Sequence, residues 1–281
     1  MRAMVKIITD TTSGLPAATA QQFGIPVIPQ IIHFGNDSFM EGVDIDNAGF
    51  MQRLKTSREL PKTAAPPPEL FIEQFRRLVP TGETILCIHP TSEASGTVRS
   101  ALAAKAEFPD ADIRVIDTRV IGSPLSTLVT LAAEWASSGM DADSLEKRLR
   151  DMISRCHVYF LVATLEYLVK GGRIGGAAGV IGSVMQIKPI LALHDGKVEL
   201  IERERTQKRA VARLKELVMQ KITRSGSGYL SVMHAAVPEQ ARALADELGA
   251  LLNIADIPIL DVPPAIVVHG GPGILGAAFF S

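Results

Sequence analysis

Three segments of this 281-residue chain hold polar side chains at places where they could meet a buried ligand. The first, His89-Pro90-Thr91-Ser92-Glu93-Ala94-Ser95-Gly96-Thr97, follows an apolar strand candidate and leads into helical periodicity at Val98, Ala101, Leu102 and Ala106. Such a turn presents unpaired backbone N–H groups at the positive end of a helix, where an anion binds. The plainer alternative makes Ser95 or Thr97 an ordinary helix N-cap. The second segment, Leu60 to Glu69, carries one hydroxyl, Thr63, and the run Pro66-Pro67-Pro68, whose stiffness would hold Thr63 in a fixed place or simply lead the chain into a helix. The third, Val267-Val268-His269-Gly270-Gly271-Pro272-Gly273, sets a histidine at the end of an expected strand over 265–268, beside a glycine loop that another group can approach closely. That histidine reads equally as a ligand contact or as a satisfied structural residue.

Several familiar chemistries lack their parts. The spacing GxGxxG occurs from Gly271 to Gly276, but five residues follow it here, too few for the helix and acidic residue of a dinucleotide site. No GxxxxGK[ST], HExxH or GxSxG run is present, and Cys87 and Cys156 have no CxxC spacing, so both are expected as reduced, buried thiols. With 29 Lys plus Arg against 30 Asp plus Glu, no global field draws nucleic acid to the surface. Apolar residues make up 47% of the chain without an uninterrupted run of about 20, the length a membrane span needs. The opening MRAMVKIITD lacks the features of a secretory signal, and a cytoplasmic location is expected.

The elements that must position these residues follow from periodicity. Strands are expected at 5–9, 25–33, 84–88 and 113–117, and helices at 15–23, 47–55, 67–79, 97–107 and 124–137. That alternation predicts βαβ units around a mostly parallel sheet. After a helix at 143–154 the order changes. A strand at 158–164 precedes the glycine-rich run 170–182, and strands 189–195 and 197–203 are joined through Asp195-Gly196, a strong hairpin signal. Helices at 207–222 and 237–251 and strands at 229–234, 255–261 and 274–280 complete a mixed sheet that its helices cover on one face. The run 223–228 reads as a loop. Two domains are expected, 1–150 and 151–281.

Taken in order, these segments resemble the DegV family over essentially the whole chain. Asp10-Thr11-Thr12-Ser13-Gly14-Leu15 is similar to its opening Asp-Ser-Thr/Ser-x-Asp-Leu, Lys62-Thr63 to its Lys-Thr-Ser-Gln-Pro, and Ser95-Gly96-Thr97 to its Ser-Gly-Thr. Tyr167-Leu168-Val169-Lys170-Gly171-Gly172-Arg173-Ile174, Ile187-Lys188-Pro189-Ile190, Arg205-Thr206 and His269-Gly270-Gly271-Pro272-Gly273 continue the match.

The resemblance implies an α/β fold of two domains, the first a three-layer unit around a parallel sheet and the second built on a mixed sheet. It also implies a long-chain fatty acid buried between or beneath them. In bacterial fatty acid kinase systems such a protein carries the acid to a separate kinase subunit, which phosphorylates the carboxylate. The chain would then be a carrier with no chemistry and no cofactor of its own, its partners being the fatty acid, that kinase subunit and, transiently, a membrane surface.

Carried over by position, the lipid-binding residues are Thr63, Ser95, Gly96, Thr97 and His269, and the kinase-docking residue is Arg205. The residues around Arg205, Glu202 to Arg209, read by themselves as a solvated face. Ala64-Ala65 replaces the family's Ser-Gln and Val98 its usual aromatic, which predicts fewer polar contacts around the head group.

A tail of roughly sixteen carbons at about 0.8 kcal/mol per methylene would supply on the order of 12 kcal/mol gross. Each charge-assisted hydrogen bond to the carboxylate nets only about 1.5–3 kcal/mol, so the tail supplies affinity and the polar groups supply orientation. Two hydroxyls, a helix N-terminus and a histidine would do this with no full Lys or Arg charge in the pocket. The competing assignment is a subunit resembling the dihydroxyacetone-binding component of dihydroxyacetone kinases, which would hold a small polar ligand through a histidine.

Overall fold

A computed structural model describes residues 5–176, 187–223 and 229–281. Part of the glycine-rich run (177–182) and most of the expected loop (224–228) therefore lie outside the described residues.

The first half opens with β1 (Val5–Asp10), α1 (Ala17–Phe23), β2 (Val27–Ile28), β3 (Ile31–Phe34), β4 (Asp37–Met40), α2 (Asn47–Thr56) and β5 (Lys62–Ala64). It continues through α3 (Pro68–Leu78), β6 (Thr84–His89), α4 (Thr97–Lys105), β7 (Ile113–Asp117), α5 (Ser123–Ser137) and α6 (Ala142–Ser154). Strands β2-β1-β6-β7 form an all-parallel sheet in that order. Every residue of β6 is buried, as a central strand covered on both faces requires. Phe71, Ile72 and Phe75 of α3 and Ala101 and Ala104 of α4 pack on one face through Ile8, Ile85 and Cys87. Leu125, Leu128 and Val129 of α5 take the other face through Ile7, Leu86, Ile88 and Ile116. Three layers result.

The stretch expected as one strand over 25–33 is two strands in two sheets. Pro29 has no N–H to give a ladder, so pairing stops there. Residues 27–28 stay beside β1, while β3 turns away into an antiparallel sheet of order β4-β3-β5. Neither β4 nor β5 has a sequence signal of its own.

The second half contains β8 (Cys156–Leu161), α7 (Glu166–Lys170), β9 (Lys188–His194), β10 (Lys197–Glu204), α8 (Gln207–Lys221), β11 (Ser231–His234) and α9 (Pro238–Leu252). It ends with β12 (Ile259–Asp261), α10 (Pro264–Gly270) and β13 (Leu275–Phe280). The six strands form one mixed sheet of order β10-β9-β8-β13-β11-β12. The β9–β10 hairpin turns where expected, with Asp195 at φ 47° and Gly196 at φ 79°, the pair of left-handed residues that a two-residue turn demands. The turn docks on the first half, where Thr91 Oγ1 donates to the Gly196 carbonyl at 3.1 Å.

The period of two in the strands gives this sheet two apolar faces. Tyr159, Leu161, Ile190, Ala192, Ala277 and Phe279 pack under α8 and α9. Their neighbours Val158, Leu191, Ala278 and Phe280 point the other way and join the core built on α5. One face is thus covered by the sheet's own helices and the other by the first half of the chain.

The strand expected at 265–268 is instead α10. Pro263 and Pro264 set the backbone for a first helical turn, and Val267 and Val268 are buried within it, so the β-branched run misleads by composition. The start of α10 is tied to the first half. Buried Glu41, just after β4, accepts the Ala265 N–H at 2.9 Å and the Thr11 hydroxyl. Burial pushes the Glu41 carboxyl up to about 7, against the pull of those two hydrogen bonds and with a further push from Asp10. A pKa raised on folding means that the native state binds the extra proton, so this contribution to stability is full below about pH 4.5 and is lost as pH rises through 7. The loss amounts to on the order of 3 kcal/mol. Urea midpoints of wild type should therefore fall between pH 5 and pH 8, and Glu41→Gln should flatten that slope; equal slopes in the two proteins would remove Glu41 as its source.

Candidate functional site

A cavity of about 120 Å³, measured as the space open to the centre of a water molecule, lies between the inner face of the mixed sheet, α10 and the loop ends of the parallel sheet. Its walls are apolar, with Val158 and Phe160 from β8, Leu193 from β9, Val198 from β10, Met233 from β11 and Ile266 from α10. The polar residues on the cavity are Thr12, Gln30, Thr63, Ser95, Arg173 and His269.

Three of the residues named from sequence meet here. Thr63 is held by the sheet ladder of β5, opposite Ile32, and not by the prolines that follow it. Its Oγ1 lies 2.7 Å from His269 Nε2. His269 sits near the C-terminal end of α10, and its Nδ1 is buried with no hydrogen-bond partner among the described residues. An orphaned buried N–H is rarer than an orphaned acceptor, so the hydrogen-bond network assigns the proton to Nε2. Nε2–H then donates to Thr63, whose own hydrogen is left for the cavity. Burial, and secondarily the nearby Arg173 guanidinium, pushes the His269 imidazole down to about 4, so it is uncharged at neutral pH.

Ser95 also lines the cavity, with its Oγ 2.7 Å from Thr97 Oγ1. Thr97 itself is 0% exposed and does not reach the cavity; it stands behind Ser95. Gly96 does not line the cavity either. A Cβ there would come 3.1 Å from Ala65 Cβ, so its bareness lets the segment after Thr63 lie against the turn that holds Ser95. Arg205 follows the far end of β10, about 20 Å along the strand from Val198, and is exposed, with no ion pair to a described residue. The structure brings Thr63, Ser95 and His269 together and leaves Thr97, Gly96 and Arg205 out of the cavity.

Other functional residues escaped the sequence reading. Arg173 lines the cavity and is fastened by Nε to the Ala94 carbonyl at 3.2 Å and by Nη1 to the Gly171 carbonyl at 2.6 Å. A full positive charge therefore does stand on the cavity, contrary to the expectation of neutral donors alone. Gly171 explains how His269 is placed. Its φ of −78° suits any residue, yet a Cβ would lie 2.4 Å from His269 Nδ1 and 2.9 Å from the Tyr167 carbonyl. Gly271 has its own reason, since a Cβ there would strike the Tyr167 ring at 2.6 Å and its φ is +77°. The segments around Tyr167 and His269 are thus cut to fit one another. The run Lys170-Gly171-Gly172-Arg173 was the available signal, but spacing alone does not say which glycine faces what.

An apolar cavity walled by a mixed sheet, with hydroxyls, a neutral imidazole and one guanidinium among its lining groups, has the make-up of a small-molecule site in an α/β protein. Comparison with known proteins is consistent and more specific. The profile described as "Uncharacterised protein, DegV family" matches residues 4–281, and the chain belongs to the DegV family. A DegV domain-containing protein of Streptomyces coelicolor is 36% identical, with 100% of both chains covered, and one of Halalkalibacterium halodurans is 34% identical over 98% of each. Among solved structures, a Thermus thermophilus DegV family protein described for its fatty acid binding superposes with a TM-score of 0.91 at 28% identity, covering 99% of both chains. Bacillus subtilis DegV, described as a fatty acid binding protein, gives 0.89 at 28% identity, covering 99% of this chain and 100% of its own.

Gly171→Ala is expected to push the imidazole away from Thr63 at an overpacking cost of about 1–3 kcal/mol. Ligand copurifying with the protein should fall much more than the melting temperature does, as read by mass spectrometry and thermal unfolding of one preparation. Full ligand occupancy in this variant would show that the His269 position does not depend on Gly171.

Proposed function

We propose that this chain binds a long-chain fatty acid, with the tail along the apolar sheet face and the carboxylate among Thr63, Ser95 and His269. The observation that carries the reading is the union in one cavity of an apolar wall with two hydroxyls fixed on separate elements. The fatty-acid-binding descriptions of relatives that share the fold at 27–28% identity support it. Arg173 adds charge complementarity to an anion, and the low pKa of His269 is the state of a cavity without one. A carboxylate beside it would favour the imidazolium and so raise that pKa.

In this reading the chain is a carrier and leaves the chemistry to a separate fatty acid kinase subunit, which phosphorylates the presented carboxylate. Its domains are 1–150 and 151–281, with the boundary in the last turn of α6. The location is cytoplasmic, with transient contact to a membrane surface for exchange of the acid. Among the described residues no helix is long and apolar enough to cross a membrane. Arg205 docks the kinase; its exposure and distance from the cavity suit a surface role, and a guanidinium can pair twice with a partner's carboxylate.

Extraction of the purified protein into organic solvent, followed by mass spectrometry, should release one or a few long-chain acids at near one per chain. Recovery of a small polyol, or of no acid, would overturn the reading. Ser95→Ala and Thr63→Ala should each weaken retention by about 1–3 kcal/mol without changing the fold, the usual cost of a hydrogen bond lost to a buried anion. Unchanged lipid content in either variant removes that residue from the head-group site. Arg205→Ala should keep its lipid and lose kinase-coupled acyl-phosphate formation, by about 2 kcal/mol or more in partner affinity. Normal turnover, or lipid loss in step with turnover, would count against docking.

A further inference from the structure

A serine hydroxyl can turn its one hydrogen toward a ligand or away from it. For Ser95 the choice is made by the groups bonded to it. Ser95 Oγ accepts the Thr97 N–H at 3.3 Å and lies 2.7 Å from Thr97 Oγ1. Thr97 Oγ1 accepts from Gln30 Nε2 at 2.8 Å, and the same amide nitrogen donates its second hydrogen to Asp10 Oδ1 at 3.0 Å. Asp10 is fully buried, and its Oδ1 also takes the Thr12 N–H at 3.0 Å and the Thr12 hydroxyl at 2.6 Å. Its Oδ2 faces His89 Nδ1 at 2.8 Å, while His89 Nε2 has no partner among the described residues.

The directions of these bonds follow from the inventory of donors. Asp10 is ringed by donors, so Gln30 must face it with nitrogen and not with oxygen. With one hydrogen on Asp10, the other goes to Thr97, which therefore accepts. The Thr97 hydrogen then has a single acceptor in reach among the described residues, Ser95 Oγ. Ser95 accepts twice from Thr97, and its own hydrogen is left for the cavity that it lines.

We propose that Asp10, acting through Gln30 and Thr97, is a positioning residue that sets Ser95 as a hydrogen-bond donor and thereby selects a deprotonated carboxylate over the alcohol of the same chain. The inference rests on the fatty-acid reading above. A carboxylate offers only lone pairs to Ser95. An alcohol brings a hydrogen of its own to an oxygen whose acceptor positions are both taken.

The test measures affinities of the lipid-stripped chain for palmitate and hexadecanol by competition with a fluorescent fatty acid. Wild type should prefer palmitate. In Gln30→Glu the oxygen that takes the place of Nε2 keeps both contacts by donating its one proton to Asp10 and accepting from Thr97. That reverses the chain, so that Ser95 donates to Thr97 and shows the cavity a lone pair. Palmitate affinity should fall about ten- to hundredfold, the loss of one charge-assisted hydrogen bond, while hexadecanol affinity stays within about threefold. A folded Gln30→Glu protein that keeps the wild-type ratio of the two affinities would overturn the relay.

If Gln30→Glu does not fold by circular dichroism, the pair Thr97→Val and Thr97→Ser decides. The valine, which lacks the hydroxyl, should lower the ratio several-fold and the serine should restore it; equal ratios in the two would overturn the proposal. Wild type that binds both lipids without preference also overturns the relay while leaving the lipid site standing. Wild type that binds neither overturns the fatty-acid reading and the relay together.

Discussion

Thr63 and His269 are 206 residues apart in the chain and 2.7 Å apart in space, and the site depends on that contact. Thr63 belongs to a short antiparallel ladder in the first half, and His269 to a short helix between the last strands of the second. A hydrogen bond between them requires both halves to be docked in one register. The docking is fixed by Glu41 on the Ala265 N–H at one end of α10 and by Gly171 against the imidazole near the other. At the hairpin, the Thr91 hydroxyl meets the Gly196 carbonyl. A side chain is missing or a carboxylate is buried at each place where a small shift would separate the two polar groups.

The mixed sheet supplies the other constraint. With apolar side chains on both faces it cannot end at water on either. Helices α8 and α9 close one side, and α5 closes much of the other. Where α5 does not reach, Phe160, Leu193 and Val198 line the cavity instead, so the ligand space is an apolar face left without protein to cover it. In the proposed function a long hydrocarbon completes that packing, and such a site needs few polar groups because hydrophobic burial carries most of the affinity.

Electrostatics then assigns different tasks to similar groups. His269, buried beside Arg173, is neutral, and through Thr63 it acts as a donor without bringing a second full charge. Arg173 remains the cationic group on the cavity and spends two of its donors on backbone carbonyls, which fixes its position. Glu41, with its carboxyl pushed up, holds α10 and is not among the residues that line the cavity. Cys87 and Cys156 have thiols pushed well up by burial, the condition of unreactive side chains.

Much of this was legible in the residues themselves. Periodicity located nearly every long helix and strand, because amphipathic spacing is a local property of the chain. Asp195-Gly196 announced its hairpin, since only residues tolerant of left-handed backbone make that turn. Thr63, Ser95 and His269 stood out as hydroxyls and an imidazole in otherwise apolar or glycine-rich surroundings, and the ordered motifs pointed to the DegV family. Local pattern could not decide α10, because Ala265-Ile266-Val267-Val268 suits a buried helix turn as well as a strand. Nor could it say that Thr97 works from behind Ser95, that Gln30, itself on the cavity, ties Thr97 to Asp10, that Arg173 reaches the cavity, or that Gly171 is bare to make room for an imidazole. Those assignments depend on which side chains meet across dozens to hundreds of residues, and packing between distant segments leaves no periodic trace in the sequence.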